Sequence, residues 1–190
     1  MNPAIAMLTH EHEVIMKVVN ALGAMSNELA HGRPADANTL HEAVRFMREF
    51  ADKCHHAKEE EILFPEMARH GIPEAGCPLA ALRREHAQGR ELVTELAEGV
   101  EAYARQEPQA ADVLMAVIGN IGHLYSSHIW KEDNMVFPMV DRLFSAEDID
   151  SLAERFEQTE VELGREHETL ERFAEGLERT NQTHVASAPR

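Results

Sequence analysis

The chain has 190 residues, 44% of them apolar and only 5% aromatic, a balance that suits a helical protein with one sizeable core better than a β-sandwich. Its formal charge of −16, from 34 acidic against 18 basic residues, argues against a phosphate-tracking nucleic-acid surface and against docking on an anionic membrane. No apolar run nears the roughly 20 residues of a membrane span, and Met1 to Leu8 is too short and interrupted for a signal peptide, so the reading is a soluble, cytoplasmic protein.

Five helices are predicted from apolar residues at helical spacing, separated by breaks rich in Gly and Pro. The first, about 3 to 31, carries the stripe Ile5, Leu8, His12, Ile15, Val19, Leu22 and Leu29 and ends near Gly32 and Pro34. The second, about 37 to 69, turns Val44, Met47, Ala51, His55, Glu59 and Ile62 to one side. After a Gly/Pro loop, a third helix spans about 79 to 105 with Leu79, Leu82, His86, Val93, Leu96, Val100 and Tyr103 inward. The fourth, about 109 to 142, carries Leu114, Val117, Ile121, Tyr125, His128, Glu132, Val136 and Met139. Pro65 and Pro138 must kink or end their helices, since each removes a backbone donor and crowds the preceding turn. Ser145 followed by Asp148 has the form of a capping box. It opens a very acidic outer helix, about 146 to 180, with a disordered tail expected from about Asn181.

An internal repeat carries the chemistry. Glu11-His12 recurs as Glu85-His86, and His55, Lys58, Glu59, Phe64 and Pro65 recur as His128, Lys131, Glu132, Phe137 and Pro138, at an offset of 73 or 74 residues. The bundle therefore reads as two copies of one helical hairpin. From His12 to the first turn is roughly 28 Å of helix, and from the start of the second helix back to His55 roughly 27 Å. The same count holds for His86 and His128, so all four imidazoles are expected at one level. Within each His-x-x-x-Glu pair the spacing puts both side chains on one face about a turn apart.

A cluster of this kind inside an apolar bundle would be very unfavourable without a counter-ion, because each unpaired buried carboxylate costs several kcal/mol. Imidazole plus carboxylate without thiolate suits iron, manganese or zinc. Six donors exceed one ordinary zinc site and suit two metals bridged by carboxylates. Two cysteines, Cys54 and Cys77, form neither a CxxC pair nor a disulfide framework.

At these segments, Thr9-His10-Glu11-His12-Glu13, Cys54-His55-His56-Ala57-Lys58-Glu59-Glu60 with Phe64-Pro65, Arg84-Glu85-His86, and His128-Ile129-Trp130-Lys131-Glu132-Asp133 with Phe137-Pro138, the sequence resembles the hemerythrin-like (HHE cation-binding) family over about residues 1 to 142. The resemblance implies an all-α, up-down-up-down four-helix bundle, here with an additional C-terminal helix. It also implies two non-haem iron ions, oxo- or hydroxo-bridged, with manganese or zinc ranking behind, that bind or react with dioxygen, peroxide or nitric oxide. In the oxygen carriers of the family a second histidine follows the third helix's ligand by one turn; here Arg90 stands there. Two six-coordinate irons need about twelve bonds, and four histidines, two bridging carboxylates and a solvent bridge give about ten. With His56 added, about one place stays open, as in a reversible carrier; with two open, redox chemistry is favoured.

The candidate metal ligands are thus His12, His55, His56, Glu59, His86, His128 and Glu132. His56 lies about 100° round the helix from His55 and reads equally as ligand or bundle flank. Asp133 replaces Glu132 if the fourth helix is rotated. Tyr125 either points its hydroxyl at a bound oxygen species or iron, or bonds another helix as a core tyrosine. His10, His31, His41, His70, His123, His167 and His184 read as non-ligands, and Trp130 and Phe64 as packing near the site. Alternative functions are an iron store, donor or sensor, including iron delivery for iron-sulfur repair. Expected partners are a small diatomic ligand or peroxide, with the C-terminal helix left for a homodimer or protein contact.

Overall fold

Helix signals at the chain's beginning set its first element. Pro3 stands in the first turn, where its missing N–H is of no consequence, and the Asn2 side chain accepts from the Ile5 N–H at 3.2 Å. A computed structural model describes residues 2–186, and the side chains among them except those at 163 and 180–186. The described residues are helical, without a strand. α1 is Pro3–Ala30. α2 runs over 37–69, capped by Asp36, whose carboxylate accepts from the Thr39 N–H at 2.9 Å. α3 is Leu79–Ala104 and α4 runs over 110–143. Neighbours in the chain are neighbours in space, with α4 returning to α1, which is the up-down-up-down bundle expected from the sequence. Among the described residues, no helix is long and apolar enough to cross a membrane.

Pro65 and Pro138 do not end their helices. Instead the turns just before them widen into π-helix, at Met47–His56 and Lys58–Leu63 in α2 and at Glu132–Val136 in α4. Proline cannot donate to the turn behind it, and the Glu60 carbonyl, five residues before Pro65, instead accepts from Arg83 Nη2 at 3.0 Å. Wide turns of this kind are rare and favour functional sites. These contain four of the candidate ligands, His55, His56, Glu59 and Glu132.

The outer segment departs from the single helix expected over 146 to 180. Ser145 and Asp148 form the capping box, but the helix breaks at Gly164, whose φ of +55° and ψ of −130° only glycine adopts readily. α5 (Ala146–Leu163) and α6 (Arg165–Ala186) result. α6 is described to Ala186, past the expected helix end near 180; of the expected tail, residues 187–190 lie outside the described residues. The break lets the two helices seal different parts of the core. Leu152 and Phe156 of α5 join Leu8, Phe64, Leu82 and Phe137 at one end of the bundle, while Leu170 and Ala174 of α6 join Ile15, Phe50, Leu96 and Ile121 at the other.

Those two apolar clusters leave a gap between them on every bundle helix. On α1 it falls between Leu8 and Val14, on α3 between Leu82 and Leu92, and on α4 between Ile129 and Val136. The polar residues singled out by the repeat fill that layer.

Replacing Gly164 with Ala is expected to lower stability by roughly 1–3 kcal/mol, because its backbone conformation and not space excludes a side chain. Gly119→Ala, in α4 with open space around it, should raise stability by about 0.5–1 kcal/mol. Denaturant midpoints of the two variants check the opposite signs.

Candidate metal centre

His12 from α1, His55, His56 and Glu59 from α2, His86 from α3, and His128 and Glu132 from α4 all lie 3% exposed or less. The structure brings every one of the sequence's candidate ligands into one layer. The two carboxylates sit between the imidazoles. Glu59 Oε2 is 3.7 Å from His55 Nε2 and 3.3 Å from His86 Nε2. Glu132 Oε2 is 3.2 Å from His12 Nε2 and 3.2 Å from His128 Nε2, and its Oε1 is 3.8 Å from His86 Nε2.

Among these atoms only His86 Nε2 and His128 Nε2 share a hydrogen bond, at 3.1 Å, and the carboxylates are bonded to none of them. All four oxygens of Glu59 and Glu132, and His12 Nε2, are buried with no hydrogen-bond partner. Such orphaned groups are rare in folded proteins and need an explanation. Donor atoms converge instead in two groups that could each hold a cation: His12, His55, Glu59 and Glu132, and Glu59, His86, His128 and Glu132. The carboxylates are common to both. An imidazole nitrogen of His56 also lies within 4.8 Å of those of His86 and His128, and its ring stacks on His86 with centroids 4.0 Å apart.

The outward nitrogen of each ring is held by a carboxylate. Nδ1–H donates to Asp133 from His12 at 2.8 Å, to Glu11 from His55 at 3.1 Å and to Asp52 from His56 at 3.3 Å. It donates to Glu60 from His86 at 2.7 Å and to Glu85 from His128 at 2.9 Å. Since an ionised carboxylate only accepts, each Nδ1 carries a proton, and in the neutral ring the Nε2 lone pair is then free for a cation. Asp133 therefore orients His12, and Glu132, not Asp133, stands among the converging donors.

A third tier holds the carboxylates. Lys58, fully buried, donates to Glu11 at 2.6 Å, and Lys131 pairs with Glu85 in the same way. Arg90 Nε donates to Asp52 at 2.7 Å and its Nη2 to Glu60 at 3.0 Å, bracing the partners of His56 and His86 together. The repeated Glu11/Glu85 and Lys58/Lys131 positions thus do the same task in each half. Their recurrence in the sequence was a signal; their role as orienting groups was not deducible from it. Glu60 and Asp133 stand at the same offset and hold His86 and His12 alike, whereas Asp52 and Arg90 carry no such repeat.

Electrostatics agree with a site made for positive charge. Burial would lower the His12 imidazole, but Asp133 and Glu132 carry it up to about 10. Burial works the same way on His86, and Glu132, Glu59 and Glu60 outweigh it, up to about 11. For Glu132, burial works to raise the carboxyl, but the charge of His128 and the proximity of His12 and His86 outweigh it and hold it well below the usual range. With the protein's own groups alone, protons on His12 and His86 would balance the carboxylates. His56 differs: burial takes it down to about 3, with Asp52 offsetting only part, so it presents a neutral ring. Both the donor set and the orphaned oxygens fit two cations of the iron, manganese or zinc kind.

Tyr125 is buried, and its hydroxyl has no hydrogen-bond partner among the described residues, contrary to the reading of a tyrosine bonded to another helix. It borders a cavity of about 230 Å³ between α2 and α3, lined also by Asp52, His56, Gly89, Arg90 and Thr94. Phe64 is buried and stacks on His86 at 5.9 Å. Trp130 does not pack near the site: it is 59% exposed, on the face of α4 opposite the ligands. His167, read as a non-ligand, lies 3.8 Å from Glu11 and stacks on Phe50. His10, His31 and His41 engage surface groups, His70 stacks on Phe144 beside Asp148, and His123 is exposed. The side chain of His184 lies outside the described residues.

Comparison with known proteins covers the segment that holds these residues. The chain is similar to the "Uncharacterized protein Rv1995" of Mycobacterium tuberculosis (strain ATCC 25618 / H37Rv) and the "Uncharacterized protein Mb2018" of Mycobacterium bovis (strain ATCC BAA-935 / AF2122/97). Each is 26% identical over 153 residues, covering 80% of this chain and 59% of the relative, so the chain spans about three-fifths of their length. The family model of the hemerythrin HHE cation-binding domain matches residues 4–140, which include all seven converging side chains. With that match over most of its length, and with two His/Glu groups able to hold cations at its centre, the chain belongs to the hemerythrin HHE cation-binding domain family.

Proposed function

We propose that the protein is a non-haem diiron protein that binds a small oxygen or nitrogen species: dioxygen, peroxide or nitric oxide. The observation that carries this reading is the pair Glu59 and Glu132, whose four oxygens are buried without partners and common to two histidine groups. Glu59 and Glu132, common to both donor groups, would hold the metals together with His12 and His55 in one group and His86, His128 and His56 in the other. Iron there would supply a redox-active centre, and five imidazoles, both oxygens of two carboxylates and one shared solvent would fill about eleven of some twelve places, leaving about one open. That count favours reversible binding over turnover.

The protein's own groups then set the conditions. Five carboxylates keep the imidazoles in one tautomer and orientation. The apolar layers above and below keep bulk water from the centre. The cavity beside His56 gives a small molecule a way in, and the free hydroxyl of Tyr125 is available to donate a hydrogen bond to it.

Metal analysis of the loaded protein is expected to give about two irons per chain; fewer than about 1.5 would contradict the bridged pair. Removing the metal should lower the melting temperature, since it leaves the inward carboxylates unpaired at a cost of several kcal/mol. His56→Ala should change the optical spectrum and the ligand affinity, and an unchanged spectrum would remove it from the centre. Tyr125→Phe should keep the metal content but weaken ligand binding about 2- to 12-fold, the worth of one hydrogen bond. A reversible charge-transfer band on oxygenation identifies a carrier, rapid peroxide consumption an enzyme, and easily chelated iron with neither a store or sensor.

A further inference from the structure

The two halves of the repeat are alike in sequence but not in their surroundings. In one half Lys131 pairs with Glu85, which holds His128; Lys131 is 34% and Glu85 22% exposed, and among the described residues Lys131 has no further carboxylate. In the other half Lys58 is fully buried and its Nζ lies 2.6 Å from Glu11 and 2.6 Å from Glu160 of α5. Glu11, likewise buried, accepts from His55 Nδ1 at 3.1 Å. His167 of α6 closes over the other Glu11 oxygen, the one that Lys58 holds, at 3.8 Å. Glu160 and His167 both lie beyond residues 4–140, the part matched by the family.

We infer that the C-terminal helices act on the metal centre, and on one position of it, with Glu160 as a positioning residue for His55 through Lys58 and Glu11. The inference rests on the diiron reading above and adds an inequivalence between the two irons. An ammonium at zero exposure has no water to satisfy its three donors, so Lys58 needs carboxylates on more than one side. Glu160 supplies the second. By sharing the ammonium's charge it leaves Glu11 a fuller acceptor for the His55 N–H, and the acceptor behind a ligating histidine governs the ring's orientation and basicity. Lys131 in the other half is partly exposed and so has no need of a second carboxylate. The iron held by His12 and His55 is consequently the one whose environment depends on α5 and α6.

The test uses the full chain loaded with iron, compared with Glu160→Gln, Lys131→Met and Arg45→Ala. Arg45 bonds Glu166 of α6 at 2.9 Å on the surface and touches none of the chain of contacts to His55, so it reports on loosened docking alone. Mössbauer spectra separate the two irons, and release to a chelator gives the rate for each. Glu160→Gln is expected to shift one iron signal and speed release of one iron about tenfold, the lower end of the usual effect of such outer partners. Lys131→Met should shift the other signal, and Arg45→Ala neither. Unchanged spectra and rates in Glu160→Gln, equal effects on both irons, or the same effect from Arg45→Ala would overturn the inference while leaving the diiron reading intact. Failure of the unaltered chain to take up two irons would overturn both.

Discussion

Two carboxylates with no hydrogen-bond partner, Glu59 and Glu132, stand at zero exposure in the middle of a helical bundle, and the rest of the architecture is arranged around that constraint. A bare buried charge of this kind costs more than a small domain's margin of stability can readily absorb. The fold answers with concentric opposites. Imidazoles surround the carboxylates, a second set of carboxylates holds the imidazoles, and Lys58, Lys131 and Arg90 hold those in turn. The alternation lets a charged layer persist inside an apolar protein without any member of the outer tiers being left unbonded.

Mechanically, the layer is confined by the two hydrophobic clusters on either side of it. Phe64 and Phe137 stack on His86 and His12, so apolar packing reaches the edge of the donor set itself. Rigid placement from both directions is what a preorganised metal site needs, because a displaced ligand costs affinity even when its chemistry is right. The C-terminal helices contribute to both clusters, which ties an acidic and otherwise featureless segment to the centre of the molecule.

Much of this was legible in the sequence because repetition and periodicity report the same thing. The duplicated hairpin predicts a shared level for His12, His55, His86 and His128, and helix length alone brings them together. Three features escaped for physical reasons. His56 could not be assigned because a regular α-helix carries neighbouring residues about 100° apart, whereas the wide turns of α2 leave both His55 and His56 buried. Gly164 reads as one weak helix residue among many, and its positive φ is set by the packing of α5 and α6 on opposite ends of the core. His167 and Glu160 belong to two helices whose composition is that of a solvated surface; only their distance to Glu11 and Lys58 separates them from their acidic neighbours. Trp130 misled in the opposite sense, since adjacency to a ligand says nothing about which side of a helix a ring occupies.

The wide turns before Pro65 and Pro138 have a genetic corollary. A π turn accommodates about one residue more than the α-helical turn it replaces. A chain shorter by a single codon between Phe46 and Pro65 could relax that stretch to ordinary α-helix. The flanking turns would keep their faces, while the residues inside the wide stretch, His55, His56 and Glu59 among them, would lose the directions it gives them. In such a lineage the centre could disappear while every histidine and glutamate that forms it was still encoded, so the length of this segment is as much a determinant of the site as the residues in it.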